Sequence, residues 1–105
     1  MGLPGGMTTL MFAMMMASTE IVSMLLQYGA NVDTFDVMGN NAFMLASITG
    51  RSENIKCWLE RVKDWDINRV GKLFGTSMLS KAVYLGANNL EETVKVLLDA
   101  GASLD

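Results

Sequence analysis

Three related segments decide the fold of this chain: G-M-T-T-L-M-F-A (residues 6–13), G-N-N-A-F-M-L-A (39–46) and G-T-S-M-L-S-K-A (75–82). Each segment runs from a glycine to an alanine seven residues later, and the alanines are separated by 33 and 36 residues. Self-similarity at such a period is typical of proteins built from stacked structural repeats.

An apolar block of the form V-x-x-L-L or a close variant follows each segment, at residues 21–26, 54–59 and 93–98. Two of the units then end in related phrases, G-A-N-V-D (29–33) and G-A-S-L-D (101–105). We therefore predict a single domain over residues 1–105, divided into repeats at approximately 3–35, 36–71 and 72–105.

The spacing of apolar residues within a unit is helical. In the first unit they recur at i, i+3, i+4 and i+7, at Leu10, Ala13, Met14 and Ala17, which indicates an amphipathic helix. The apolar block predicts a second helix in each unit, capped at its start by Thr19, Ser52 or Asn89. Gly29 and Gly101 are predicted to end two of these helices, because glycine readily adopts the left-handed conformation. We expect Met11, Met14 and Trp58 in the core.

These features resemble the ankyrin repeat family, whose unit of about 33 residues has a β-turn and two antiparallel helices. In the second unit the family pattern D-x-x-G-x-T-P-L-H-x-A keeps Asp36, Gly39 and Ala46. The resemblance implies an all-α ankyrin-repeat solenoid of three helix-turn-helix units, joined by β-turn or hairpin-like loops. The family prolines are replaced by Thr9, Ala42 and Met78, and its histidines by Met11, Met44 and Ser80. We therefore expect a looser array than the family consensus.

The composition argues against several classes of function. A net charge of −3 and the absence of histidine disfavour nucleic-acid binding, metal clusters and histidine-based catalysis. Cys57, the single cysteine, has no histidine in the chain that could act as a catalytic partner, so we expect it to have no catalytic role. We expect no enzyme activity, no catalytic residue, no metal and no cofactor. The longest apolar run, residues 10–17, is too short to cross a bilayer and no basic residue precedes it, so we expect no membrane partner and an intracellular, cytoplasmic protein.

The resemblance implies a protein–protein interaction module that binds a partner through the concave groove and the loop tips. The residues that fall at the family's exposed positions are Met7, Met15, Met16, Phe35, Val37, Met38, Asn40, Ile48, Thr49, Leu73, Phe74, Thr76, Tyr84 and Leu85. Trp65, in an insertion at 62–68, is a further candidate anchor. Its alternative is to fold back over Val62 and Ile67, since large aromatics are usually buried. That insertion and another at 87–92 are predicted to be surface loops.

A second hypothesis comes from a different class. Solenoids need terminal units with polar outer faces, whereas the first unit is the most apolar part of the chain and neither end has a capping sequence. The repeats could instead be a structural spacer or autoregulatory segment of a larger multidomain protein with a catalytic or channel function elsewhere. The same uncapped ends predict self-association.

Overall fold

The computed structural model describes residues 4–68, 78–86 and 88–104. Those residues form a short 3-10 turn, Pro4–Gly6, and six α-helices with no strand among them. The helices are α1 (Thr9–Met16), α2 (Thr19–Gln27), α3 (Ala42–Thr49), α4 (Ser52–Arg61), α5 (Met78–Leu85) and α6 (Leu90–Asp99).

The helices form two layers that run the length of the stack. Helices α1, α3 and α5 pack side by side as an inner layer, and α2, α4 and α6 form an outer layer in the same order. Each inner helix also packs on the outer helix that follows it. The prediction of an all-α array of three helix-turn-helix units is confirmed.

Helices α1 and α3 begin at polar side chains that satisfy free backbone donors. Thr8 Oγ1 accepts a hydrogen bond from the amide of Met11, and the Thr8 amide in turn donates to the Met11 sulfur. In the second unit Asn41 Oδ1 accepts from the amide of Met44 at 2.8 Å. Ser, Thr, Asn and Asp are favoured at this position because their short side chains reach the first turn.

The predicted caps of two outer helices are wrong by one residue. Thr19 and Ser52 are the first residues of α2 and α4, and the cap positions belong to Ser18 and Arg51, neither of which makes a side-chain cap bond. Arg51 has a different role: its guanidinium donates to the backbone oxygens of Met15 and Ala17 at the end of α1. Asn89 is the cap residue of α6, with a left-handed backbone (φ 55°) and no side-chain cap bond.

The outer helices of the first and third units end as predicted. Gly29 (φ 86°) and Gly101 (φ 99°) have left-handed backbones. The next amide, of Ala30 or Ala102, donates back to a carbonyl five residues earlier. Such a turn satisfies carbonyls that the helix end leaves free.

The core follows the predicted pattern. Met11, Met14 and Trp58 are fully buried, as expected. In the insertion at 62–68, Ile67 lies in the core and the Trp65 ring packs on Phe43 and Trp58, with ring centroids 5.5 and 5.1 Å apart. Four residues of the insertion are exposed, Lys63, Asp64, Asp66 and Asn68, so it is a surface loop in which Trp65 folds inward.

Polar contacts join the first two units. Asn54 is buried, and its Nδ2 donates to the carbonyls of Met14 and Ala17 at 3.1 and 3.0 Å. Together with Arg51, this side chain satisfies carbonyls at the carboxyl end of α1 that have no partner within the helix. The second and third units approach each other closely at one point, since a Cβ at Gly50 would lie 1.6 Å from the Asn88 carbonyl oxygen.

Within the part of the chain that the structure describes, the helices are too short or too polar to cross a bilayer.

Candidate functional site

Two rows of side chains run along the exposed side of the inner layer. Helices α1, α3 and α5 repeat at intervals of 33 and 36 residues, so equivalent residues form lines across the stack. One row contains Met15, Ile48 and Tyr84, and the other contains Met16, Thr49 and Leu85. Apolar side chains dominate both rows, and Tyr84 is 88% exposed.

A hydrogen-bonded loop tip stands beside these rows between the first and second units. Asp36 Oδ1 accepts from the amides of Met38 and Asn40 at 2.9 and 2.8 Å, and the Asp36 carbonyl accepts from Gly39. The Asp36 amide donates to the Asn40 carbonyl across the same turn. Because a short carboxylate bonds the backbone two residues on, this turn is locally stabilised, and it holds Met38 with its side chain exposed.

The loop tip and the two rows meet in one open, mostly apolar cleft of about 720 Å³ between the second and third units. Its lining residues are Met38, Asn40, Ile48, Ser80, Lys81, Tyr84 and Leu85. Five of the seven were nominated from the sequence. The structure therefore brings together residues that lie up to 47 positions apart in the chain.

Lys81 and Ser80 were missed by the sequence analysis. Lys81 is the only charged residue within the three inner helices, and its Nζ donates a hydrogen bond to Asn40 Oδ1 in the loop tip. A lone charge in three otherwise uncharged helices was a detectable sequence feature. Lys81 places an ammonium group beside the apolar side chains that line the cleft.

The other nominated residues of the first two units lie outside this cleft. Met7 and Met15 are half-buried and pack against the core, whereas Met16 is exposed. The Thr49 hydroxyl donates to the Leu45 carbonyl of its own helix at 2.7 Å.

The loop residues Phe35 and Val37 complete that set. Phe35 is half-buried, and Val37 has an exposed side chain. The Val37 amide donates to the Gly5 carbonyl at 2.9 Å, which ties this loop to the preceding one.

Trp65 lies away from the cleft, in the aromatic cluster with Phe43 and Trp58. Its ring is half-buried there, which favours the structural role over the role of an exposed anchor. The predicted binding residues Leu73, Phe74 and Thr76 lie outside the described residues.

The outer layer has a different electrostatic character. Lys56 Nζ lies 3.3 Å from Glu92 Oε1 of the third unit and 3.4 Å from Glu53 Oε1 of its own helix. The hydrogen bond to Glu92, followed by the one to Glu53, raises the pKa of Lys56 above its ordinary value of 10.5.

No group of three His, Cys, Asp or Glu side chains in the described ranges is placed to hold a metal ion.

Comparison with known proteins gives two findings. A family model described as ankyrin repeats (3 copies) matches residues 2–69. Inversin from Danio rerio is 33% identical over 86 residues, which is 82% of this chain and 8% of inversin. The chain thus spans less than a tenth of the length of this curated relative. The family match covers the first two units, and the helices of the third pack in the same two layers.

Proposed function

Because this chain belongs to the ankyrin repeat family, we propose that it binds a partner protein through the cleft formed by Met38, Ile48, Tyr84 and Leu85. Ankyrin repeats are generally non-catalytic protein–protein interaction modules. The observation that carries the proposal is the convergence of exposed apolar side chains from two units in one cleft.

The cleft suits a segment of a macromolecule rather than a small substrate. It is an open concavity on the side of a stack of helix pairs, and such extended surfaces are what solenoids use for binding. The Asp36 turn orders the loop tip before any partner arrives, which reduces the entropy that binding must overcome. Tyr84 is a suitable anchor, since tyrosine is enriched among the residues that contribute most to interfaces.

The charge of Lys81 indicates which chemical groups the partner segment should carry. An ammonium group beside apolar side chains favours a segment with large apolar residues and a nearby carboxylate. The existing bond from Lys81 to Asn40 orients the ammonium toward the loop tip. We infer that Lys81 selects an acidic group through charge complementarity, which contributes more to specificity than to affinity.

The test uses peptides selected from a displayed random library against the wild-type chain. Tyr84→Ala should weaken binding of those peptides by about tenfold, in line with truncation of an aromatic anchor. Lys81→Gln should weaken it less and reduce its salt dependence. Tyr28→Ala is the matched control, because Tyr28 is 84% exposed on an outer helix end, against 88% for Tyr84.

Binding is measured by titration calorimetry after circular dichroism has shown that each variant keeps its helices. If the selected peptides bind Tyr84→Ala as tightly as the wild type, or lose affinity equally in Tyr28→Ala, the cleft is not the binding surface.

The remaining sequence-based hypotheses stay predictions. They include the residue boundaries of the repeats, a cytoplasmic location, self-association, and a role as a spacer or autoregulatory segment of a larger protein. The small share of inversin that the chain spans is compatible with the last of these.

A further inference from the structure

The first unit exposes apolar side chains at positions that the other units bury. Ile21, Asn54 and Thr93 occupy the same position in the three outer helices, and they are 44%, 1% and 0% exposed. Met24 is exposed, whereas its equivalents Cys57 and Val96 are half-buried and buried. In the second and third units this side of the helix packs on the unit before it. Ile21 and Met24 therefore form an N-terminal face with the composition of an interface.

The third unit shows the converse. Val83 of α5 is 54% exposed, whereas its equivalents Met14 and Ser47 are fully buried. The neighbouring helix α6 carries an apolar strip with a concavity of about 460 Å³, and its apolar residues are Leu90, Val94 and Leu98. Val83 and this strip form a C-terminal face.

The charges on the two faces are complementary in the register of the stack. Between the second and third units, Lys56 of α4 pairs with Glu92 of α6 at 3.3 Å. Lys95 is the equivalent of Lys56, and Glu20 is the equivalent of Glu92. A chain docked on α6 in the same register would place its Glu20 beside Lys95.

We propose that the C-terminal face of one chain binds the N-terminal face of a second copy, head to tail, so that α6 packs on α2 as α4 packs on α6. Lys95 now pairs with Asp99 of its own helix at 3.1 Å. That pair is compatible with a second acid, because Lys56 pairs with both Glu53 and Glu92.

A twofold arrangement of two C-terminal faces is less favourable. In antiparallel α6 helices centred on Lys95, the two lysines would meet, and Glu91 would face Asp99 of the other copy. Like charges in contact oppose association. The head-to-tail arrangement avoids both contacts.

In head-to-tail binding each copy extends the repeat stack of the copy before it, so the assembly does not close into a ring. Such heterologous contacts produce open assemblies whose size grows with concentration. The cleft around Tyr84 is not part of either face, so this proposal and the peptide-binding proposal can fail independently.

The first test uses sedimentation velocity of the 105-residue chain over a range of concentrations. Wild type should grow beyond a dimer as concentration rises. Ile21→Glu, which blocks the N-terminal face, and Leu98→Glu, which blocks the C-terminal face, should each be monomeric. Their equimolar mixture should form a 1:1 dimer and nothing larger, because one intact face of each kind remains. Val37→Glu, an exposed apolar residue on a loop, is the matched control and should associate like wild type.

The second test exchanges charges on exposed residues, where folding is least affected. Glu20→Lys and Lys95→Glu should each weaken association by about three- to tenfold at low salt, as expected when an exposed pair becomes a repulsion. The double variant should recover wild-type association. Lys63→Glu, with the same charge change in an exposed loop, should have no effect.

Several results would overturn the proposal. A wild-type chain that stays monomeric at every concentration contradicts it, as does a mixture of Ile21→Glu and Leu98→Glu that does not dimerise. Self-association of Ile21→Glu alone would show that the C-terminal faces pair with each other. Failure of the double charge variant to recover would show that Glu20 and Lys95 do not meet.

Discussion

Replacing Gly50 by alanine should destabilise the fold in two ways, through strain in a left-handed backbone and through a steric clash of the new Cβ. Gly50 ends α3 with a left-handed backbone (φ 74°), and an added Cβ would lie 1.6 Å from the Asn88 carbonyl oxygen. Gly86 holds the equivalent place after α5, with φ 64° and nothing within 4 Å of an added Cβ. Gly86→Ala therefore introduces only the backbone strain, whereas Gly50→Ala introduces the backbone strain and the steric clash.

The left-handed conformation costs an alanine about 1–2 kcal/mol in either variant. In Gly50→Ala the Asn88 backbone must also retreat by more than 1 Å to reach the shortest separation that real Cβ atoms show. That movement disturbs the bond from Asn89 Nδ2 to Ser52 Oγ, and overpacking of this kind costs about 1–3 kcal/mol. We expect Gly50→Ala to lose about 2–5 kcal/mol in total, a large part of the roughly 5–15 kcal/mol that stabilises a domain.

Urea denaturation followed by circular dichroism measures the difference, at concentrations low enough to avoid association. Gly50→Ala should unfold at a clearly lower urea concentration than Gly86→Ala, with an unchanged slope, since the slope reports the surface exposed on unfolding. Equal destabilisation of the two variants would refute the close approach of the second and third units at Gly50.

Two further variants test the polar contacts between units. Asn54→Ala should lower the free energy of unfolding by about 1–3 kcal/mol, because carbonyls at the end of α1 lose a buried donor. The control Gln27→Ala removes an exposed amide and should change that free energy by less than about 0.5 kcal/mol. Equal effects of the two variants in urea denaturation would contradict the role of Asn54. Because the pKa of Lys56 is raised, its pairing with Glu92 and Glu53 stabilises the fold fully below pH 10.5, and this stabilisation is lost as the pH rises through the folded-state pKa. The difference in melting temperature between wild type and Lys56→Gln should therefore shrink at strongly alkaline pH, and a constant difference would argue against the ion pair.

Local features of the sequence were enough to predict the repeat architecture. The spacing of Leu10, Ala13 and Met14 predicts a helix face, and the recurrence of alanine at 33 and 36 residues predicts that the helix pairs stack. Burial of Met11 and Trp58 followed from the same periodicity. These inferences succeed because helical period and repeat period are properties of the chain alone.

The candidate site was only partly predictable. Alignment to the family nominated Met38, Ile48 and Tyr84, but it gave no reason to group them with Lys81. Helix starts were less predictable still, because Arg51 bonds to carbonyls of the preceding unit rather than capping its own helix.

Three helix pairs with an apolar core follow from features within each repeat of the chain. The packing of Trp65 on Phe43 and Trp58, and the cleft that Met38 and Tyr84 share, are visible only in the folded molecule. The difference comes from the range of the interactions. Helix formation and amphipathicity depend on residues within a few positions of one another, whereas packing of an inserted loop or a cleft between units depends on how distant segments approach in space.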